Sequence, residues 1–168
     1  MIETERLLLR MPRADDAEAL LAAYSDAKTM RYIGDGSTTD LDGMRAAIEK
    51  WLGRWETNGI GFFVVERDGV VVGRAGFLVW DPSTWTIAPI DDGSEVEIGW
   101  TLIRAHWGNG YATEAALALR DWIDRARLIS LIQYGNEASV RVAEKIGERY
   151  ERDVVVHDTP TRMYSIER

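Results

Sequence analysis

The sequence predicts one α+β domain over residues 1–168, a mixed α/β arrangement with a central, mostly antiparallel twisted sheet of about six or seven strands flanked by about four helices. Three observations carry this. Runs of β-branched and aromatic residues with two-residue alternation recur along the chain. Stretches with apolar residues at helical spacing stand between them. The pair Asp68-Gly69 joins two of the strand runs through a turn too short for a parallel crossover.

In chain order, residues 6–11 alternate and place Leu7, Leu9 and Met11 on one strand face. Asp15 followed by Glu18 reads as a capping box for a helix burying Ala17, Leu20, Leu21 and Tyr24. Asp40 caps a second helix in which Ile48, Trp51, Leu52 and Trp55 repeat the spacing, with its end marked by Gly59 and Gly61. Residues 62–66 and 70–80 form the hairpin, and residues 82–93 read as an extended loop. Residues 95–102 are another strand, with Val96, Ile98, Trp100 and Leu102 on one face and Glu95, Glu97, Gly99 and Thr101 on the other. Glu97 is thus an acid in mid-strand. Residues 113–125 are helical, with a stripe of Ala112, Ala116, Leu119 and Ile123, and residues 128–134 are a short strand. Asn136 caps a helix carrying Val140, Ala143 and Ile146 that stops at Gly147, and residues 150–156 and 163–166 close the domain as a hairpin.

With 168 residues and 46% hydrophobic side chains the chain has core enough for one domain. The 28 acidic residues against 20 Lys and Arg give a net charge of −8, which argues against a nucleic-acid partner and confines any phosphate site to a local positive patch. Cysteine is absent and the histidines are His106 and His157, so no thiolate chemistry and no metal site are expected. The first residues lack a signal-peptide pattern and no apolar run reaches the ~20 residues that span a bilayer, so a cytoplasmic protein without a membrane partner is expected.

The stretch from Trp100 to Ala115 carries the chemistry. Gly108 and Gly110 stand between the strand at 95–102 and the following helix, where side-chain-free backbone and the first helical N–H groups suit a pyrophosphate. The same glycines also serve a plain strand-to-helix turn. A Walker loop is excluded, because Gly110 is followed by Tyr111 and Ala112 and not by Lys and Ser/Thr, and a dinucleotide fingerprint would need glycine where Thr113 stands.

Trp107-Gly108-Asn109-Gly110-Tyr111-Ala112-Thr113-Glu114-Ala115 resembles the phosphate loop of the GNAT acetyl-CoA-dependent N-acetyltransferases, in the branch containing the ribosomal-protein N-terminal acetyltransferases. A second block, residues 136–147, is similar to that branch's Asn-x-x-Ser helix ending in Glu-Lys-Leu-Gly. Further likeness lies in Thr4-Glu5-Arg6-Leu7-Leu8-Leu9-Arg10 and in Val96-Glu97-Ile98-Gly99-Trp100, so it covers most of the chain. Two departures stand out: Trp107 occupies a slot for Gln or Arg in the general pattern, and Ala143 stands where many members carry a tyrosine that protonates the leaving thiolate.

The resemblance implies a GNAT fold and acetyl transfer to a primary amine, either a protein N-terminus or a small molecule, by direct attack in a ternary complex. Acetyl-CoA would be the cosubstrate. Trp100, Thr101 and Leu102 would hold its pantetheine arm through their backbone, and Trp107, Gly108, Asn109, Gly110, Tyr111, Ala112 and Thr113 its pyrophosphate. Asn136 would contact pantetheine and Ser139 the thiolate. A domain that binds acetyl-CoA without transferring it would keep the same loop.

Glu97 is the candidate base, with an ion-paired structural role as the alternative and Glu95 in reserve. Arg104, His106 and Arg141 are the nearest basic candidates for the remaining cofactor phosphates, because an acidic chain must concentrate its positive potential locally. Among the aromatics Tyr32, Trp51, Trp55, Trp80 and Trp85, Tyr32 and Trp85 fall outside the helical stripes and are the candidates for lining the acceptor site. Asp81, Asp91, Asp92 and Glu95 beside the expected cleft, with the net charge, favour a neutral or cationic acceptor. The protein is expected as a monomer or a homodimer.

Overall fold

A computed structural model describes residues 1–168, arranged around one sheet of nine strands. The strands are β1 Ile2–Glu3, β2 Leu8–Arg10, β3 Phe62–Arg67, β4 Val70–Asp81, β5 Thr86–Ile87, β6 Glu95–Leu102, β7 Arg127–Gln133, β8 Arg149–Val156 and β9 Thr159–Glu167. The helices are α1 Ala17–Tyr24, α2 Ala27–Met30, α3 Leu41–Asn58, α4 Tyr111–Trp122 and α5 Glu137–Lys145. Across the sheet the order is β1-β2-β3-β4-β6-β7-β9-β8, with β5 on β4. Every pairing is antiparallel except β6 with β7. The elements beyond those expected are β1, β5 and α2, runs of two to four residues that are too short to leave a periodic pattern.

Helices cover both faces of the central strands. On β3, Phe62 and Val64 pack with Leu20, Met44, Ile48 and Trp51 from α1 and α3, while Phe63 and Val65 pack with Tyr111, Ala115 and Leu119 from α4. That two-sided burial explains why β3 reads as a continuous apolar run. The β3–β4 turn has Asp68 at φ 50° and Gly69 at φ 78°, the left-handed pair of a tight hairpin. The β8–β9 turn uses His157 at φ 47° and Asp158 at φ 62° in the same way. With no glycine to announce it, β9 begins at Thr159, earlier than residue 163.

Two N-terminal expectations need correction. Strand β2 ends at Arg10, so Met11 is exposed at 46% and leaves the core face. The acid that organises the entry to α1 is Asp16, not Asp15. Asp16 accepts the Arg13 backbone N–H at 2.6 Å and takes the Arg10 guanidinium on both oxygens at 2.6 and 2.8 Å, while Arg10 also reaches Glu66 at 2.6 Å. The buried ion cluster, invisible to local spacing, outweighs the capping pattern. At α3 the local reading holds: Asp40 Oδ1 accepts from Gly43 N–H at 2.9 Å, and Gly59 ends the helix at φ 67°.

Candidate active site

The site originates where the sheet opens. Strands β6 and β7 pair in parallel register only at Glu97 opposite Ile129. Beyond that point β6 stays bonded to β4 as far as Leu102 but has no further strand pairing on its other edge. The opening is a cleft of about 310 Å³, lined from β3 to β7, the β8–β9 hairpin, α3, the start of α5 and the segment after α2.

At the end of β6 the chain makes a 3₁₀ turn over Arg104–His106 and enters the glycine loop, with Gly108 at φ 78° and Gly110 at φ 80°, conformations costly for residues with a Cβ. Helix α4 then starts at Tyr111. The backbone N–H groups of residues 108–113 have no acceptor in the protein. A tight turn alone would explain the torsions; the run of free donors at a helix N-terminus is what suits an anion.

The loop is braced from the N-terminal segment. Glu114 accepts from Thr4 Oγ1 at 2.6 Å, Arg6 N–H at 2.9 Å and Arg6 Nε at 2.7 Å, and Arg6 Nη1 donates to Asn109 O at 3.0 Å. The Arg6 guanidinium lies 4.9 Å from the centre of the buried Tyr111 ring, and the Tyr111 hydroxyl is bonded to Arg67. These are the positive groups at the loop that sequence spacing missed. Of the three proposed from it, Arg104 is engaged by Asp26 at 3.2 Å, Arg141 is exposed on α5 without an ion pair, and His106 ends the 3₁₀ turn. The Trp107 indole Nε1 donates to Leu102 O at 2.8 Å, tying the loop to β6. Asn109 Nδ2 closes the loop internally on His106 O and Trp107 O.

Trp100 and Thr101 line the cleft, and the buried Thr101 hydroxyl has no partner. The Leu102 side chain is core instead. Asn136 and Ser139 line the opposite side. Asn136 Oδ1 accepts the Ser139 backbone N–H at 3.3 Å, and the Ser139 hydroxyl itself has no protein partner. Ala143 is fully buried against Ile132, Val140 and Tyr164. Tyr32 lines the cleft with its hydroxyl against Gly135, where a Cβ would come within 2.9 Å.

Trp85 is a correction. At φ 52° its side chain folds into a cluster with Trp80, Ile129, Val154 and Met163, outside the cleft lining. The neighbouring Trp80 faces the cleft and donates its indole N–H to Glu97 Oε2 at 2.7 Å. The acidic rim expected from the loop is likewise missing from the cleft. Asp81 and Asp91 bond Ser83 and Ser94 within their own turns, and Asp92 and Glu95 do not line the cleft.

Glu97 sits at the fork between β6 and β7. Burial pushes its carboxyl up to about 7, against the opposing pull of the Trp80 indole, the Arg74 charge and a backbone N–H at Leu131. Glu95 is committed elsewhere: Arg127 holds it at 3.0 Å and also binds Glu151 and Glu167, each at 2.7 Å.

A second buried carboxyl, Glu148, is only 1% exposed and neither oxygen has a partner, since the nearby Ser130 hydroxyl donates to Ile98 O at 2.9 Å. Burial, with a contribution from Glu97, pushes Glu148 from 4.5 up to about 8. A group that holds its proton more tightly folded than unfolded contributes stability below its unfolded value and loses it as pH climbs through its folded value. At ~1.4 kcal/mol per unit, the cost above pH 8 is a few kcal/mol. Glu148→Met should therefore raise the melting temperature most at pH 8–9 and least near pH 5; an equal shift at both ends would refute this account.

Fold and site converge on one class. The sequence profile described as an acetyltransferase (GNAT) domain matches residues 6–149, and the chain belongs to this family of acyltransferases. It is 33% identical to the Bacillus subtilis protein YkkB over 96% of this chain and 92% of that one. It is 28% identical to the Bacillus subtilis N-acetyltransferase YoaA over 99% and 96% of the two chains. A GNAT-family acetyltransferase structure from Bacillus anthracis superposes with a TM-score of 0.79 at 28% identity, covering 99% of this chain and 97% of that one. No helix is long and apolar enough to cross a membrane.

Proposed function

We propose that the protein transfers the acetyl group of acetyl-CoA to a primary amine by direct attack within a ternary complex. The observation that carries this reading is Glu97, a carboxylate with one oxygen anchored by Trp80, placed where β6 parts from β7 and pushed by burial to about 7. A base with that affinity for protons takes up the ammonium proton at neutral pH and still exists largely as carboxylate just above it.

The free N–H groups of residues 108–113, with Arg6 beside them, fit the pyrophosphate, and the unpaired edge of β6 with the orphaned Thr101 hydroxyl fits the amide-bearing pantetheine arm. The amine, once neutral, attacks the thioester carbonyl. The C–S bond then breaks and the thiolate departs toward Asn136 and the free Ser139 hydroxyl, at the N-terminal end of α5 where negative charge is favoured. Ser139 supplies the contact that Ala143 cannot.

The test is a panel of small amines and N-terminal peptides assayed for acetyl-CoA-dependent release of free thiol. Release that depends on an added amine, with the acetylated amine recovered, supports the reading. Tight acetyl-CoA binding with no acetylation of any amine would replace it with a binding module.

A further inference from the structure

The cleft holds two cations that have no ion-pair partner in the protein. In a chain with a net charge of −8, neither Arg54 nor Arg74 lies within ion-pairing distance of any carboxylate, whereas Arg6, Arg10, Arg104, Arg127 and Arg162 all do. Both line the cleft. Arg74, only 8% exposed, is held in one orientation: its guanidinium stacks 3.8 Å from the centre of the Phe62 ring and Nε donates to Tyr24 Oη at 2.8 Å. Its two terminal nitrogens have no protein acceptor. Arg54 projects from α3 into the same space, half-buried, where burial and, after it, the nearby Arg74 charge weaken its hold on its own proton. Like charges brought together, one of them buried, with hydrogen-bond donors unspent, are an arrangement that an incoming anion completes.

The position of that anion follows from Gly99. The point where a Cβ would stand on Gly99 is 3.6 Å from Arg74 Nη1 and 3.8 Å from Glu97 Oε1, the oxygen that Trp80 leaves free. A guanidinium and a carboxylate therefore flank one small volume without touching each other. Resting on the transfer reading above, we propose that the acceptor is a small amino-carboxylate, an amino-acid-like zwitterion whose amine meets Glu97 and whose carboxylate is bound by Arg74 and Arg54. A carboxylate suits this spacing better than a phosphate, because a dianion so close to Glu97 would be repelled by it. The zwitterion is neutral overall, so the chain's net charge of −8 does not oppose its approach.

The experiment compares acetylation of free amino acids, their carboxamides, the corresponding decarboxylated amines and O-phosphoethanolamine, followed by thiol release at saturating acetyl-CoA. The wild-type protein is expected to favour at least one amino acid over its own amide by about 10²-fold or more in kcat/KM, as for a site whose buried donors are stranded by the wrong ligand. Arg54→Gln should shrink that ratio to less than about 10-fold, mainly through KM, with Arg54→Lys between the two. Arg74→Gln should do the same. Arg54 is half-exposed on a helix, so its variants keep the test open if the Arg74 variant fails to fold. Amides or decarboxylated amines acetylated as well as the acids would overturn this proposal and leave acetyl transfer standing, and so would a preference for the phosphate ester or for C-terminally blocked peptides. Acetylation of no amine at all would overturn both.

Discussion

Replacing Glu97 by glutamine is expected to lower turnover by ~10²–10⁴-fold, the range that a positioned base contributes, while acetyl-CoA affinity measured by calorimetry stays within about threefold of wild type. The side chain keeps its shape and still faces Trp80, so loss of the proton acceptor is the main change. The pH dependence separates this from a structural effect. With the Glu97 carboxyl raised to about 7, kcat/KM of the wild-type protein should fall as pH drops through 7, because protonation removes the base. The Glu97→Gln variant should lose that acidic limb. Glu95→Gln serves as the comparison: Glu95 is bound by Arg127, so the variant should keep the limb at the same position. A Glu97→Gln protein with wild-type turnover and an unchanged limb would mean that another group, or water, takes the proton. Ser139→Ala should slow turnover by less, since water can also protonate a thiolate.

What was legible in the sequence was what neighbouring residues decide. Asp68-Gly69 specifies its own hairpin, Asn136 caps α5 through a bond to Ser139 three residues on, and Gly108 and Gly110 make the loop from torsions available to glycine. Glu97 could be singled out because an acid in an apolar strand is unusual whatever the fold. Arg74 gives the same signal in the run Val70-Val71-Val72-Gly73-Arg74-Ala75-Gly76, and pairing of β4 with β6 brings the two anomalies to one cleft. That second step is tertiary, so the sequence does not show it. The same holds for Arg6, whose partner Glu114 lies far along the chain, and for Asp16, which acts through Arg10 and Glu66. Glu148 follows a helix-ending glycine, where a surface residue would be expected, yet the chain turns it inward. Trp85 looked free because it belongs to no stripe, but a left-handed backbone turn folds it into the core.

Gly110→Glu is expected to abolish acetyl-CoA binding. Gly110 immediately precedes α4, where the first N–H groups are free and the positive end of the helix dipole adds to the Arg6 charge. A carboxylate placed there would compete for those donors and repel the pyrophosphate, so affinity should fall by at least about 10²-fold, equivalent to more than ~2.7 kcal/mol. Backbone strain must be separated from charge, because Gly110 sits at φ 80° and any side chain is disfavoured there. Gly110→Ala provides the separation: it imposes the torsional cost without the charge, and its Cβ meets only the Arg6 guanidinium, at 3.5 Å. The alanine variant should lose about 1 kcal/mol or somewhat more in stability and retain most of its affinity. The glutamate variant should melt close to the alanine variant yet fail to bind. Raised salt should weaken the wild-type interaction, since the attraction to a multiply charged ligand is screened. If a folded Gly110→Glu protein binds acetyl-CoA as tightly as Gly110→Ala, the pyrophosphate does not rest on this helix N-terminus, and the free N–H groups of residues 108–113 are only the exposed donors of a turn.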